Sequence, residues 1–150
     1  MASGKSEEIR VGQLAIRFLL EGRDSGGALA IFEFDVAAGA KVPVAHSHDA
    51  YDETIYGLAG VLTFTVDGRQ SDVGPGEVLF IPRGVVHRFD NIRGADAKML
   101  AVVTPGLLGP DFFREMAAIV NSATAGPPNS AALAAVMRRH GLTPAPPAMT

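Results

Sequence analysis

The chain contains no cysteine and no tryptophan, and only 7% of its 150 residues are aromatic. Without cysteine it can form neither a disulfide framework nor a thiolate-ligated zinc or iron–sulfur site. Its 13 basic residues are fewer than its 16 acidic residues and are scattered, so there is no basic stripe for nucleic acid and no polybasic patch for a membrane. No apolar run approaches the length of a membrane span. We therefore expect neither a nucleic-acid nor a membrane partner.

The first residues also have no apolar core of the kind that a secretory signal needs, which predicts a cytoplasmic location. A chain of this length can bury roughly 70% of its unfolded surface, which is enough for one compact domain without disulfides.

Between Ile9 and Val103, short segments rich in β-branched and aromatic residues alternate with glycine-containing turns. The dipeptide Asp67-Gly68 is a hairpin signal, and Gly74-Pro75-Gly76 marks another turn. Closely spaced strands with no helices between them favour an all-β fold, either an antiparallel sandwich or a jelly roll.

After residue 105 the pattern changes to helical periodicity. Pro110 suits the first turn of a helix, Asn129 or Ser130 can cap a second helix, and Gly141 can end it. This helical pair either packs on the outside of the β-domain or on a partner subunit, or covers the mouth of a barrel and shapes a pocket. His140 falls in the last helical turn, where the helix dipole favours a cation, so we interpret it as structural.

These patterns divide the chain into an N-terminal strand or arm (1–25), a β-barrel (26–105), a C-terminal helical pair (106–142) and a loose tail (143–150).

Three of the four histidines lie in two short blocks. His46 and His48 are two residues apart and would point to the same face of a strand, whereas Glu53 would follow a bend and enter on the returning strand. His87 follows Pro82-x-Gly84 and would arrive from a separate strand. Three imidazoles and a carboxylate suit one divalent transition metal ion, namely Fe, Mn, Ni, Cu or Zn, with coordination positions left for substrate.

The two blocks, Gly39-x6-His46-x-His48-x4-Glu53-x6-Gly60 and Gly76-x5-Pro82-x4-His87-x3-Asn91, resemble the signature motifs of the cupin superfamily. The resemblance covers residues 26–105 and implies a double-stranded β-helix, or jelly-roll barrel, with the metal inside. It also implies His46, His48, Glu53 and His87 as ligands, and the glycines, Pro82 and Asn91 as turn or framework positions. Six residues rather than the usual five separate Gly39 from His46, an insertion that a loop absorbs cheaply.

Alternation along the ligand strands predicts an apolar chamber around the metal. The predicted pocket-lining residues are Ile55, Gly57, Phe64, Phe80, Val85 and Phe89. Gly57 would either leave room beside the metal or only relieve crowding between strands. Glu53 and Tyr51 are the candidate catalytic groups, because both lie beside the ligands and can exchange a proton.

Three functions fit this pattern. The first is a metal-dependent oxidoreductase, a dioxygenase acting on a small apolar, phenolic or enolic substrate, which the similarity to small bacterial quercetin-dioxygenase-like cupins supports. The second is a binding protein that anchors a small molecule on the metal without turnover, and in the third the metal is only structural. An exposed sheet edge and an apolar C-terminal helix further predict a homodimer.

Overall fold

A computed structural model describes residues 6–41, 44–123 and 125–146, and within these ranges the chain is built mainly from antiparallel strands. The strands are β1 Glu8–Val11, β2 Leu14–Leu20, β3 Ala30–Val36, β4 His46–His48, β5 Asp52–Ala59, β6 Leu62–Val66, β7 Arg69–Val73, β8 Val78–Ile81, β9 His87–Asp90, β10 Ala97–Thr104 and β11 Leu142–Pro144. The helices are a short 3-10 turn at Gly22–Ser25, α1 at Pro110–Val120 and α2 at Ser130–Arg139.

The strands form two sheets whose inner faces enclose the core. The first sheet has the order β1-β2-β3-β10-β5-β8, and the second has the order β11-β4-β9-β6-β7. In β3 and β10, buried residues alternate with more exposed ones, as expected for a strand with one face against the core. Val36, Met99 and Val103 are completely enclosed. The predicted all-β jelly-roll fold with C-terminal helices is confirmed.

The turn between β6 and β7 follows directly from its sequence. Asp67 and Gly68 both have positive φ, at 51° and 77°, as the tightest β-hairpins require at their two central residues. The strands on either side then pair from Leu62 with Val73 to Val66 with Arg69.

The two ends of the chain are more closely built into the sheets than the predicted boundaries suggest. β2 lies along β3, from Leu14 opposite Val36 to Leu20 opposite Ile31, so the N-terminal segment is part of the first sheet. At the other end, β11 contains Thr143 and Pro144, so these two residues of the predicted loose tail are in a strand. Residues 1–5 and 147–150 of the predicted arm and tail lie outside the described residues.

Both helices begin where the sequence predicts. Pro110 is the first residue of α1, and the side chain of Asn129 accepts a hydrogen bond of 3.1 Å from the amide of Ala132 at the start of α2. Each helix buries an apolar stripe, which includes Met116 in α1 and Met137 in α2. No described helix is both long and apolar enough to cross a bilayer.

Candidate functional site

Three strands bring the two histidine blocks and Glu53 together at one place between the sheets. His46 lies opposite His87 where β4 pairs with β9, and Glu53 approaches from β5 in the other sheet. One nitrogen from each of His46, His48 and His87 lies within 4.8 Å of the others. Oε1 of Glu53 is 3.7 Å from Nε2 of His48 and 3.8 Å from Nε2 of His87. The structure therefore gathers all four residues that the sequence nominates as ligands.

Backbone carbonyls orient two of the three imidazoles. Nδ1 of His46 lies 2.9 Å from the carbonyl oxygen of Val44, and Nδ1 of His87 lies 3.0 Å from that of Val85. Because a carbonyl can only accept, Nδ1 must carry the proton in each ring, and the lone pair is then on Nε2. This is the usual way in which a protein prepares a histidine to ligate a metal through Nε2.

The third imidazole, His48, is held differently. Its Nδ1 is buried and has no hydrogen-bond partner among the described residues. Its ring instead stacks on Tyr51, with centroids 4.6 Å apart and planes inclined by 25°.

Burial sets the ionisation of the cluster. It lowers the pKa of His46 to about 3 and that of His48 to about 2, and the nearby His87 adds to both effects. Burial also lowers the pKa of His87, and it raises the pKa of Glu53 to about 7. At neutral pH the three imidazoles are therefore uncharged, so their lone pairs are available without any loss of protons.

The geometry and chemistry of this cluster fit a metal ion. Donor atoms about 2.1 Å from a common metal lie about 3.0 Å apart in adjacent octahedral positions and about 4.2 Å apart in opposite ones. The observed separations of 3.7 and 3.8 Å lie between these two distances, and the histidine nitrogens lie within 4.8 Å of one another, so a small adjustment of the side chains would bring the donors onto one ion. Neutral nitrogen donors with one carboxylate also match the ligand preference of Fe, Mn, Ni, Cu and Zn.

Glu53 without a metal should make stability depend on pH, since its pKa in the fold, about 7, lies above its ordinary value of 4.5. The protonated acid is favoured in the fold, so the stabilisation is complete below pH 4.5 and is lost as the pH rises to 7. Metal-free Glu53→Gln protein, neutral at every pH, should exceed the metal-free wild type in stability by about 1 kcal/mol at pH 5 and about 3 kcal/mol at pH 8. Urea unfolding at both pH values measures this, and an equal difference at pH 5 and pH 8 would contradict it.

The cluster borders a cavity of about 100 Å³ that is partly open to solvent and has room for roughly seven to ten water-sized volumes. Apart from the four candidate ligands and Arg88, the cavity is lined by apolar residues. The apolar lining consists of Val11, Leu14, Ile16, Phe32, Phe34, Ile55, Phe64, Ile81, Phe89, Leu108, Phe112, Phe113, Met116, Met137 and Leu142. The guanidinium of Arg88 donates from Nη2 to Oδ1 of Asp90 over 2.8 Å, whereas its Nε is buried and has no hydrogen-bond partner among the described residues.

Three of the six predicted lining residues, Ile55, Phe64 and Phe89, line this cavity, whereas Phe80 does not. Phe80 is 55% exposed and lies opposite Thr54, on the outer face of the first sheet. The neighbouring Ile81 lies opposite Glu53 and takes the inward position instead. Val85, in the turn before β9, is also absent from the lining.

Gly57 does not line the cavity either. A Cβ atom at Gly57 would lie 1.9 Å from the carbonyl oxygen of Gly74, so the absence of a side chain lets two backbones approach each other. Two hydrogen bonds of 2.9 Å join the same segments, one from the amide of Gly57 to the oxygen of Glu77 and one from the amide of Gly76 to the oxygen of Gly57. Relief of crowding between strands is therefore the role that the structure supports.

Tyr51 lies behind His48 rather than in the cavity. It is 1% exposed, is not part of the lining, and directs its hydroxyl to the carbonyl oxygen of His140 at 3.4 Å. Burial and the carboxylate of Glu53 raise its pKa, so the phenol keeps its proton. This placement replaces the predicted catalytic role with a supporting one, because the hydroxyl faces the C-terminal segment.

The C-terminal helices form one wall of the cavity, which decides between the two arrangements that the sequence leaves open. Phe112, Phe113 and Met116 of α1 and Met137 of α2 all line it. The helices are joined across their polar faces by Glu115, which pairs with Arg139 and His140. His140 is thus a structural residue at the end of α2.

Residues from the two ends of the chain, Val11 and Leu14 before β3 and Leu142 after α2, also line the cavity, and sequence reasoning did not nominate them. Their only signal in the sequence is that they are apolar, which they share with most of the core.

Comparison with known proteins agrees with this fold. Residues 32–103 match the family model described as "Cupin domain". Over 116 residues, 77% of the chain, the sequence is 28% identical to quercetin 2,3-dioxygenase of Bacillus subtilis, and the match covers 34% of that protein. The chain therefore spans about a third of the length of this curated relative.

Two solved structures are similar over most of the chain. The polyketide cyclase RemF from Streptomyces resistomycificus is 26% identical with a TM-score of 0.58, covering 74% of this chain and 88% of RemF. A Thermotoga maritima protein described as a predicted oxalate decarboxylase is 21% identical with a TM-score of 0.60, covering 67% of this chain and 92% of that one, and we take only the fold from it. With its two jelly-roll sheets and its histidine cluster between them, the chain belongs to the cupin superfamily.

Proposed function

We propose that this protein is a metal-dependent oxidoreductase of the dioxygenase type that acts on a small phenolic or enolic substrate. The observation that carries the proposal is the position of the three histidines and Glu53, which border a partly open apolar cavity. His46, His48, Glu53 and His87 would hold one divalent transition metal ion. Such an ion, when bound, would polarise the substrate's enol or phenol oxygen and support reaction with O2.

The side chains of the cavity would supply the other parts of the mechanism, namely orientation of the substrate and proton transfer. The apolar walls would orient a flat substrate and keep bulk water away from it. Glu53 is the only carboxylate among the lining residues, so a carboxylate oxygen of Glu53 that the ion leaves free would be the place to hold the proton of the substrate hydroxyl.

The cavity also narrows the class of substrate. A sugar or polyol would need several polar contacts, and beyond the candidate ligands the lining offers only the guanidinium of Arg88. Two of the relatives compared above are more than 25% identical to this chain, and their names agree with a phenolic or enolic substrate. One name specifies quercetin, a phenolic compound, and the other specifies a polyketide.

An oxygen electrode provides the test. Metal-free protein is reloaded separately with Fe, Mn, Ni, Cu and Zn, and each form is screened against catechols, enediols and flavonols, with His87→Ala protein as the site-deficient control. We expect substrate-dependent O2 uptake with at least one redox-active metal and none with Zn or with His87→Ala. Substrate conversion without O2 uptake would overturn the dioxygenase assignment, and tight binding without any conversion would establish the second function, a metal-anchored binding protein.

A homodimer and a cytoplasmic location complete the proposal. The exposed side chains of Val78 and Phe80 on the edge strand β8 support association, because a second copy could cover them. Sedimentation equilibrium would test this, and a monomer at micromolar concentration would contradict it.

A further inference from the structure

The strand that carries two candidate ligands is held mainly by the C-terminal end of the chain. On one side β4 pairs with β9 only at His46 and His87, and the amide of Gly84, in the turn before β9, donates to the carbonyl oxygen of His48 over 2.8 Å. On its other side it pairs with β11 over its whole length, with Leu142, Thr143 and Pro144 opposite His48, Ser47 and His46.

Hydrogen bonds beyond both ends of this pairing extend it. The amide of Asp49 donates to the carbonyl oxygen of Gly141 over 2.8 Å, and the amide of Ala145 donates to that of Ala45 over 2.9 Å. The hydroxyl of Thr143 also donates to Oδ1 of Asp49 over 2.6 Å. Without these contacts β4, which is only three residues long, would be a poorly paired edge strand.

The same segment holds the ring of His48 from behind. Tyr51, on which that ring stacks, donates its hydroxyl to the backbone of His140, and a Cβ at Gly141 would lie 3.5 Å from its ring. Because Nδ1 of His48 has no hydrogen-bond partner among the described residues, its ring is oriented by this stacking and by the edge-on contact with the ring of His87, whose centroid is also 4.6 Å away.

We propose that residues 140–145, which we call the C-terminal clasp, position the metal ligands of β4 and thereby set the affinity of the site for metal. The inference rests on the metal centre proposed above. It adds that the clasp, which is remote from β4 in the sequence and directly follows the cavity-wall helix α2, holds the metal ligands in position. Removing contacts that orient ligands typically weakens metal binding by about 10- to 100-fold, and we expect a loss of that size here.

The test uses the double variant Thr143→Val/Ala145→Pro in the full chain. Valine keeps the shape and β-propensity of threonine but removes the bond to Asp49, and proline removes the amide that donates to Ala45. The residue before position 145 is Pro144, which already lies in a strand, so the extended conformation that a following proline demands is present. Thr63→Val is the matched control, because it removes a threonine–aspartate bond to Asp72, on β7 of the same sheet and away from β4.

Metal affinity is measured by titrating metal-free protein with Zn²⁺ against a chelator, and ligand geometry by the visible spectrum of the Co²⁺ form. We expect the double variant to bind Zn²⁺ about 10- to 100-fold more weakly, with a changed Co²⁺ spectrum, while its unfolding midpoint matches that of Thr63→Val. Equal affinity in the double variant and the control would overturn the role of the clasp while leaving the metal centre intact. A wild-type protein that binds neither ion would overturn both.

Hydrogen exchange on the wild type covers the case in which the double variant does not fold. Binding of Zn²⁺ should slow exchange at the amides of Asp49 and Ala145, which donate across the clasp, at least about tenfold more than at Ala132 in the cap of α2. Metal binding that leaves those two amides no better protected than Ala132 would overturn the inference.

Discussion

Replacing His48 with alanine should abolish stoichiometric metal binding and leave the fold in place. The side chain is 2% exposed, its Nε2 lies 3.7 Å from Oε1 of Glu53, and no other described imidazole beyond His46 and His87 is near enough to take its place. Loss of one of four ligands should weaken affinity more than about 100-fold, the upper range seen when only the supports of a ligand are removed. Elemental analysis of protein purified without chelator measures the effect.

His140→Ala is the matched control for this experiment. His140 is the fourth histidine of the chain, and its side chain pairs with Glu115 outside the cluster. It contributes only its backbone carbonyl to the clasp, and alanine keeps that carbonyl, so the replacement should leave metal content unchanged. Full metal occupancy in His48→Ala protein, with a circular dichroism spectrum like that of the wild type, would remove His48 from the site.

Replacing Gly57 with alanine should destabilise the protein by more than about 3 kcal/mol, because the added methyl group would meet a backbone oxygen that cannot move alone. The methyl carbon would lie 1.9 Å from the oxygen of Gly74, which is far below van der Waals contact. Relief would require β5 and the Gly74–Gly76 turn to part, which would break the two hydrogen bonds between them. Urea denaturation measures the loss.

Gly109→Ala is the matched control, since Gly109 has ordinary negative φ and nothing lies within 4 Å of a Cβ there. Its cost should stay within about 1 kcal/mol, the difference between glycine and alanine at a helix N-cap. Similar stability losses in the two variants would show that the approach of Gly57 to Gly74 is not tight.

The residues that the sequence could place correctly are those governed by local rules. His46 and His48 share a face because side chains in a strand alternate. The dipeptide Asp67-Gly68 predicts a hairpin because both residues can adopt the positive φ that a two-residue hairpin turn requires. Asn129 caps α2 because its side chain reaches the amide three residues later. Each depends on only a few neighbouring residues, so the prediction did not require the fold.

The alternation of side chains along a strand was not enough to predict where Phe80 and Gly57 lie. Which face of β8 points inward depends on its register with β5, and the observed pairing of Glu53 with Ile81 turns Phe80 outward. Gly57 lies on the inward face, as predicted, but the chain at Gly74 occupies the space beside it. A shift of one residue in register exchanges the two faces of a strand, and no local signal in the sequence determines that register.

What the sequence by itself determined about this protein is its class, its two histidine blocks and the ligand types that they offer. Only the tertiary structure decided that the C-terminal helices form one wall of the cavity, and that a three-residue strand ending in proline supports the strand of His46 and His48. The ligand set follows from residue chemistry and short spacings. The clasp pairs segments that are about 95 residues apart, and the cavity wall also joins segments distant in the sequence. The energies of such contacts depend on the whole packed arrangement, which local rules do not describe.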